Sequence, residues 1–205
     1  MGSDQKNRIK IQKYLTESAN VKRQVSELCC ESILSAANII AESFKTGHKL
    51  LLCGNGGSAA DCQHMATEFV SCLTKDFARP GLPAVALTTD TSLLTAYSND
   101  TGFEGVFERQ VQALGNKGDV LIAISTSGNS ENVIRAIKIA QATQMHTITL
   151  TGYGGQLAQI ADVVISVPSK NTQYIQESHL AIEHIVCELV ERAVFIDGGS
   201  ASDIS

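Results

Sequence analysis

The chain has 205 residues, 43% hydrophobic and 18% charged, proportions of a globular protein with room for one α/β domain. Its 21 acidic residues outnumber its 16 basic ones, giving a net charge of −5, which argues against nucleic acid as a main partner. No apolar run approaches the ~20 residues that span a bilayer, and the start, MGSDQKNRIK, lacks a signal-peptide core.

The six cysteines (Cys29, Cys30, Cys53, Cys62, Cys72 and Cys187) show neither CxxC spacing nor the density of a disulfide framework. Most fall in apolar periodic segments, so they read as reduced core residues of a cytoplasmic protein.

In chain order, residues 4–18 predict a polar helix and 20–46 a longer one. Val25, Leu28, Ser32, Ala36, Ile39 and Ser43 mark one face of the second, and Gly47 stops it. Leu50 to Cys53 predict a buried strand, followed by the turn Gly54-Asn55-Gly56-Gly57-Ser58 and a helix. A loop with Lys75, Arg79, Pro80 and Gly81 leads to a strand at 84–88. A short helix at 91–97 ends at Ser98-Asn99-Asp100, and another follows at 102–114, broken by Gly115 and Gly118. The third strand, 120–124, runs into Ser125-Thr126-Ser127-Gly128-Asn129-Ser130 and a helix to about Thr143. Strands at 147–150 and 163–167 flank a short helix at 156–160, and a long helix spans 173–195. The tail, 197–205, reads as disordered.

Five apolar strands alternating with helices predict a single α/β domain over 1–196. It has a five-stranded parallel sheet with helices on both faces, flavodoxin-like, with extra N-terminal helices. In such folds ligands sit at the carboxyl ends of the strands, which gathers GNGGS, Asn99-Asp100 and STSGNS at one edge. The glycines of the first turn let backbone approach a ligand, and Ser58 can cap the helix that follows, whose N–H groups favour an anion. STSGNS sets hydroxyls between a buried strand and a helix start, which suits a phosphate monoester; no Walker lysine follows it.

His64 and Glu68 stand four residues apart on one helical face, where they can bind a divalent metal or move protons. The last helix carries Gln176, Glu177, His179, Glu183 and His184. Gln176 and His184 lie about 80° apart on one flank. Periodicity does not choose between His184 and His179, which pairs with Glu183 at i,i+4. That helix is apolar on two flanks, which predicts burial nearly all round and an oligomer with the 20–46 and 173–195 helices at its interfaces.

The stretches NGGSAADCQHMATEF, TTDTSLLTAYSND, GDVLIAISTSGNSENVIRAI, ITLTGYGG and YIQESHLAIEHIVCELVE together resemble the sugar isomerase (SIS) domain. Within it they are most similar to the phosphoheptose isomerase family. The resemblance implies a cytoplasmic homotetramer that interconverts D-sedoheptulose 7-phosphate and D-glycero-D-manno-heptose 7-phosphate, the first step toward nucleotide-activated heptose for bacterial surface polysaccharide. It implies one zinc per subunit, held at the positions matching His64, Glu68, Gln176 and His184, and so favours His184 over His179. The implied substrate positions are Asn55, Gly56, Gly57, Ser58, Glu68, Asn99, Asp100, Ser125, Thr126, Ser127, Ser130 and Gln176. Where several members carry Gly-Arg shortly after the zinc glutamate, this chain has Ser71-Cys72; Lys75 and Arg79 are the residues placed to supply that charge.

Aldose–ketose isomerisation moves a proton between C1 and C2 through an enediolate and needs a base, an acid and an oxyanion stabiliser. Glu68 is the expected base, His184 the expected acid, and zinc the Lewis acid. A non-catalytic SIS sugar-phosphate adaptor, or another SIS sugar-phosphate enzyme, would share STSGNS; the four metal-type residues favour the heptose enzyme.

Overall fold

The computed structural model describes residues 3–75 and 78–196. In chain order its elements are α1 (Ser3–Leu28), α2 (Cys30–Lys45), β1 (Leu50–Gly54), α3 (Gly57–Val70), β2 (Ala84–Ala86) and α4 (Thr91–Asp100). A 3-10 turn (Phe103–Gly105) then leads into α5 (Val106–Leu114), β3 (Val120–Ser125), α6 (Glu131–Ala142), β4 (His146–Thr151), α7 (Leu157–Ile160), β5 (Val163–Ser166) and α8 (Thr172–Phe195).

The strands form one parallel sheet in the order β2-β1-β3-β4-β5, as the continuous apolar runs predict. Alternate residues of each strand feed separate cores. Leu50, Leu52, Ile122 and Ile124 pack with α2, α3 and α8. Leu51, Cys53, Leu121 and Ala123 pack with α5, α6 and α7. The order reverses between β1 and β3, because β1 leads out to β2 on one side and β3 to β4 on the other. That switch leaves a crevice at the carboxyl ends of β1 and β3. The register brings Gly54 beside Ile124 and Ser125 beside Thr151, so both ligand-type turns leave the sheet at this edge.

The N-terminal helices divide differently from the expectation. The break comes at Cys29 (φ −113°, ψ 0°), not near residue 19. The rod kinks without losing its ladder: the Cys29 N–H donates to the Val25 carbonyl at 2.9 Å, and the Ile33 N–H to Cys29. The Cys29 thiol turns in and donates to the Ser166 carbonyl of β5 at 3.4 Å. Of the expected face, Val25, Ala36 and Ser43 are buried and Ser32 and Ile39 half-buried, and the core-facing side is wider than expected. Cys29, Ile33, Ala37, Ile40 and Phe44 face the core, whereas Leu28 is 71% exposed. Asn99 and Asp100 likewise belong to the last turn of α4, not to a turn after it.

α1 is fixed to the start of α8. Tyr14 donates to Glu177 at 2.6 Å, Ser18 donates to the same carboxylate, Lys22 reaches it at 3.3 Å, and Tyr174 donates to Glu17 at 2.9 Å. The predicted disordered tail lies outside the described residues. Among those described, no helix is long and apolar enough to cross a membrane.

Candidate active site

The first turn joins β1 to α3. Gly56 caps α3 with φ +57°, a left-handed conformation glycine adopts freely. Gly57 has a different requirement, because a Cβ there would run into the Gln176 amide. Ser58 does not cap α3 as expected: the helix starts earlier, at Gly57, so Gly56 holds the cap position and Ser58 is buried inside the first turn. The Asn55 and Asn132 amides pair reciprocally, each Nδ2 donating to the other's Oδ1 at 2.9 Å. Asn132 Oδ1 also accepts the Val133 N–H at the head of α6. One side-chain pair thus locks the two turns together.

The second turn draws its hydroxyls into one cluster. The Ser125 Oγ, 5% exposed as a residue, lies 3.0 Å from Ser130 Oγ and 3.4 Å from Ser127 Oγ. The Asn129 N–H donates to Ser127 Oγ, and the Thr126 carbonyl accepts the Gly152 N–H. Behind it, the Leu157 N–H donates to the Gly128 carbonyl and the Gln156 N–H to Asn129 Oδ1. Three hydroxyls stand before the start of α6, whose first two N–H groups, those of Glu131 and Asn132, have no helical carbonyl to meet, while those of Val133 and Ile134 donate to the Ser130 carbonyl. That arrangement suits an anion with several acceptor oxygens.

Beside these turns, α3 and α8 bring His64, Glu68 and His184 together, one ligand atom from each within 4.8 Å of the others. His64 Nε2 is 2.8 Å from His184 Nε2 and 3.5 Å from Glu68 Oε1. Two nitrogens and a carboxylate oxygen are a zinc-type donor set. Zn–N bonds of about 2.0–2.1 Å place tetrahedral ligand atoms about 3.3 Å apart, so the two rings need part only slightly to admit an ion. The Gln176 Nε2 donates to Asp61 Oδ2 at 3.2 Å, which leaves the amide oxygen as the acceptor end of the side chain. Asp61, 7% exposed, stands as the outer partner that orients Gln176. Burial raises its carboxyl pKa, against the lowering effects of the Gln176 amide and His64.

His179 occupies a different environment. It is fully buried, its Nε2 lies 3.1 Å from the Thr151 carbonyl of β4, and burial lowers its pKa to about 4. Its neighbour on the same face, Glu183, is 1% exposed with neither carboxyl oxygen hydrogen-bonded. Burial first, then Asp61, pushes its carboxyl up to about 8. The fold therefore holds a proton that the unfolded chain has lost, and stability falls as pH rises from about 4.5 towards 8. At pH 7 the cost is about 3 kcal/mol. Glu183→Gln in metal-free protein should accordingly be more stable than wild type at pH 7 and nearly equal to it at pH 4.5. Chemical denaturation at both values measures this; an equal difference at the two would refute it.

Asn99 and Asp100 bond each other, Nδ2 to Oδ1 at 2.8 Å, on the exposed end of α4. Arg79 is buried and engaged with Glu191, so its charge does not face the crevice; Lys75 is exposed. Sequence reasoning passed over Asp61 and Asn132. Asp61 carried a signal, since it lies three residues before His64 and so on the metal face. Asn132 carried only its place in the first turn of a helix.

A parallel sheet with two small-residue turns at its switch point and a two-helix donor set is the architecture of a sugar-phosphate isomerase domain. The SIS domain family profile matches residues 13–152. Similar proteins include the phosphoheptose isomerase of Aquifex aeolicus (strain VF5), 55% identical over 186 residues, 90% of this chain and 96% of that one. That of Roseiflexus sp. (strain RS-1) is 54% identical over 87% of this chain and 90% of its own. Among solved structures, the phosphoheptose isomerase of Neisseria gonorrhoeae superposes with a TM-score of 0.84 at 43% identity, over 90% of this chain and 98% of that one. The one from Francisella tularensis gives 0.87 at 37%, over 91% and 98%. The chain belongs to the SIS domain family, and within it to the phosphoheptose isomerases.

Proposed function

We propose that this protein interconverts D-sedoheptulose 7-phosphate and D-glycero-D-manno-heptose 7-phosphate, with one zinc per subunit held by His64, Glu68, Gln176 and His184, in the cytoplasm. The observation that carries the reading is the donor set on α3 and α8 beside a serine-lined turn at the same sheet edge. Bound there, zinc would act as a Lewis acid on the substrate oxygens. The phosphate binds Ser125, Ser127 and Ser130 and the head of α6, and this remote anchorage fixes C1 and C2 at the donor set. Asn55, Gly56, Gly57, Ser58 and Thr126 shape the floor between, and Asn99 and Asp100 reach the sugar chain from α4. Glu68 takes the proton from one carbon and returns it to its neighbour, while His184 moves the proton between the oxygens.

Purified protein should turn over sedoheptulose 7-phosphate, lose activity to a chelator and regain it with added zinc. Chelator-resistant turnover would remove the metal from the reading. Turnover only of another sugar phosphate would assign a different SIS enzyme, and binding without turnover an adaptor.

We also propose that the working form is a homo-oligomer, a tetramer in this family's pattern. Within one chain Leu180 and Ile185 of α8 remain exposed, as do Ile9, Ile11 and Leu15 of α1 and Leu34 of α2. An apolar groove of about 270 Å³ among α1, α2 and α8, lined by Val25, Ile33, Leu34, Ile185 and Leu189, continues that surface. Exposed apolar area of this kind marks a partner surface. Light scattering at micromolar concentration should give a multiple of the 21.8 kDa chain; a monomer would contradict it.

A further inference from the structure

Arg79 closes the loop between α3 and β2, and its side chain is only 1% exposed. Nη2 donates to the Glu68 carbonyl at 2.7 Å, and Nη1 to those of Phe69 at 2.8 Å and Pro80 at 2.9 Å. Glu68 and Phe69 lie in the last turn of α3, where carbonyls lack helical partners; the Phe69 carbonyl also accepts the Leu82 N–H at 3.0 Å. The same guanidinium donates to Glu191 of α8 through Nε at 2.7 Å and through Nη2. Glu191 Oε1 also accepts the Leu73 N–H at 3.2 Å, and the guanidinium carbon lies 5.9 Å from the centre of the Phe195 ring.

Two coincidences give this pair a meaning beyond holding a loop. The backbone carbonyl Arg79 grips belongs to Glu68, whose carboxylate is in the donor set. Glu191 lies seven residues, about two turns, beyond His184, on nearly the same side of α8. One rigid fork therefore spans the two helices that carry the donors. A buried ion pair is weak evidence of stability, since an apolar pair of similar volume packs as well. An apolar pair cannot, however, hold two carbonyls of one helix and a carboxylate of another in one plane.

We propose that Arg79 and Glu191 are a positioning pair that sets the spacing and rotation of α3 against α8, and thereby the separation of His64 and Glu68 from His184. This rests on the metal reading above.

The test uses the full chain with Arg79→Lys, Glu191→Gln and the double variant Arg79→Met/Glu191→Met. Zinc affinity is measured by competition with a chromophoric chelator, alongside thermal midpoint, kcat and KM. Arg79→Lys keeps the charge and loses the fork. It should bind zinc about 10–100-fold more weakly and lose kcat in step, with KM within about twofold of wild type. The double variant should recover the thermal midpoint without recovering zinc affinity. Variants that lose only thermal stability, or a double variant that regains wild-type zinc affinity, would overturn the proposal. Should Arg79→Lys fail to fold, Glu191→Gln, which keeps the shape and an acceptor oxygen, carries the same expectations. Wild-type protein that takes up no zinc would overturn the metal reading alone. The pair is then judged on the imidazole nitrogen resonances of His64 and His184 in metal-free protein. A shift in Arg79→Lys supports it, and unchanged signals refute it.

Discussion

Glu68→Gln is expected to lower kcat by roughly a hundredfold or more while KM and phosphate binding largely survive, because a proton-transfer group acts on the barrier and not on the anchored phosphate. Its carboxylate sits on the last turn of α3, 17% exposed, with Oε1 3.5 Å from His64 Nε2. One carboxylate oxygen can face the donor set while the other faces the crevice, and glutamine keeps an oxygen for the first task while abolishing the basicity for the second. Zinc content must be measured in the same preparation, so that loss of metal is not mistaken for loss of the base. Exchange of the C1 or C2 proton with solvent separates the cases further. If the zinc-loaded variant exchanges that proton at the wild-type rate, Glu68 is a ligand only. The base is then His184 or Asp100, since His179 is sealed against the Thr151 carbonyl with no exposed surface.

The sheet was legible because strands buried on both faces leave continuous apolar runs, and each expected run is a strand. The turns were legible because the glycines and serines at strand ends have few structural reasons to cluster. What did not read from the chain depends on partners far away in sequence. The kink at Cys29 falls where a thiol donates to a carbonyl of β5, 137 residues on, and no breaker residue marks it. Asn55 and Asn132 are 77 apart, Asp61 and Gln176 are 115, and Arg79 and Glu191 are 112. Arg79 looked like a free charge on a polar loop because its acceptors are three backbone carbonyls and one carboxylate from another helix. His179 and His184 could not be separated by period alone. Depth in the fold separates them, because one turns to β4 and the other to α3.

Ser125→Ala should act mainly on KM, raising it about 10–100-fold, the equivalent of roughly 1.5–3 kcal/mol for a hydrogen bond to a charged oxygen. The phosphate is present in ground and transition states alike, so kcat should change far less. Ser125 is the informative position because its hydroxyl is the centre of the cluster, within 3.0 Å of Ser130 and 3.4 Å of Ser127. Its removal deletes one phosphate contact and also frees the rotor of Ser130, which as the residue before α6 is the natural second donor. Ser127→Ala should raise KM less, because Ser127 is exposed and its loss leaves the Ser125–Ser130 pair intact. Inorganic phosphate supplies the control: as a competitive inhibitor it should weaken by the same factor as KM rises in each variant. A Ser125→Ala protein with unchanged KM and unchanged phosphate inhibition would place the phosphate elsewhere on the sheet edge. A fall confined to kcat would mean that the serines position the reacting carbons and do not anchor the far end of the sugar.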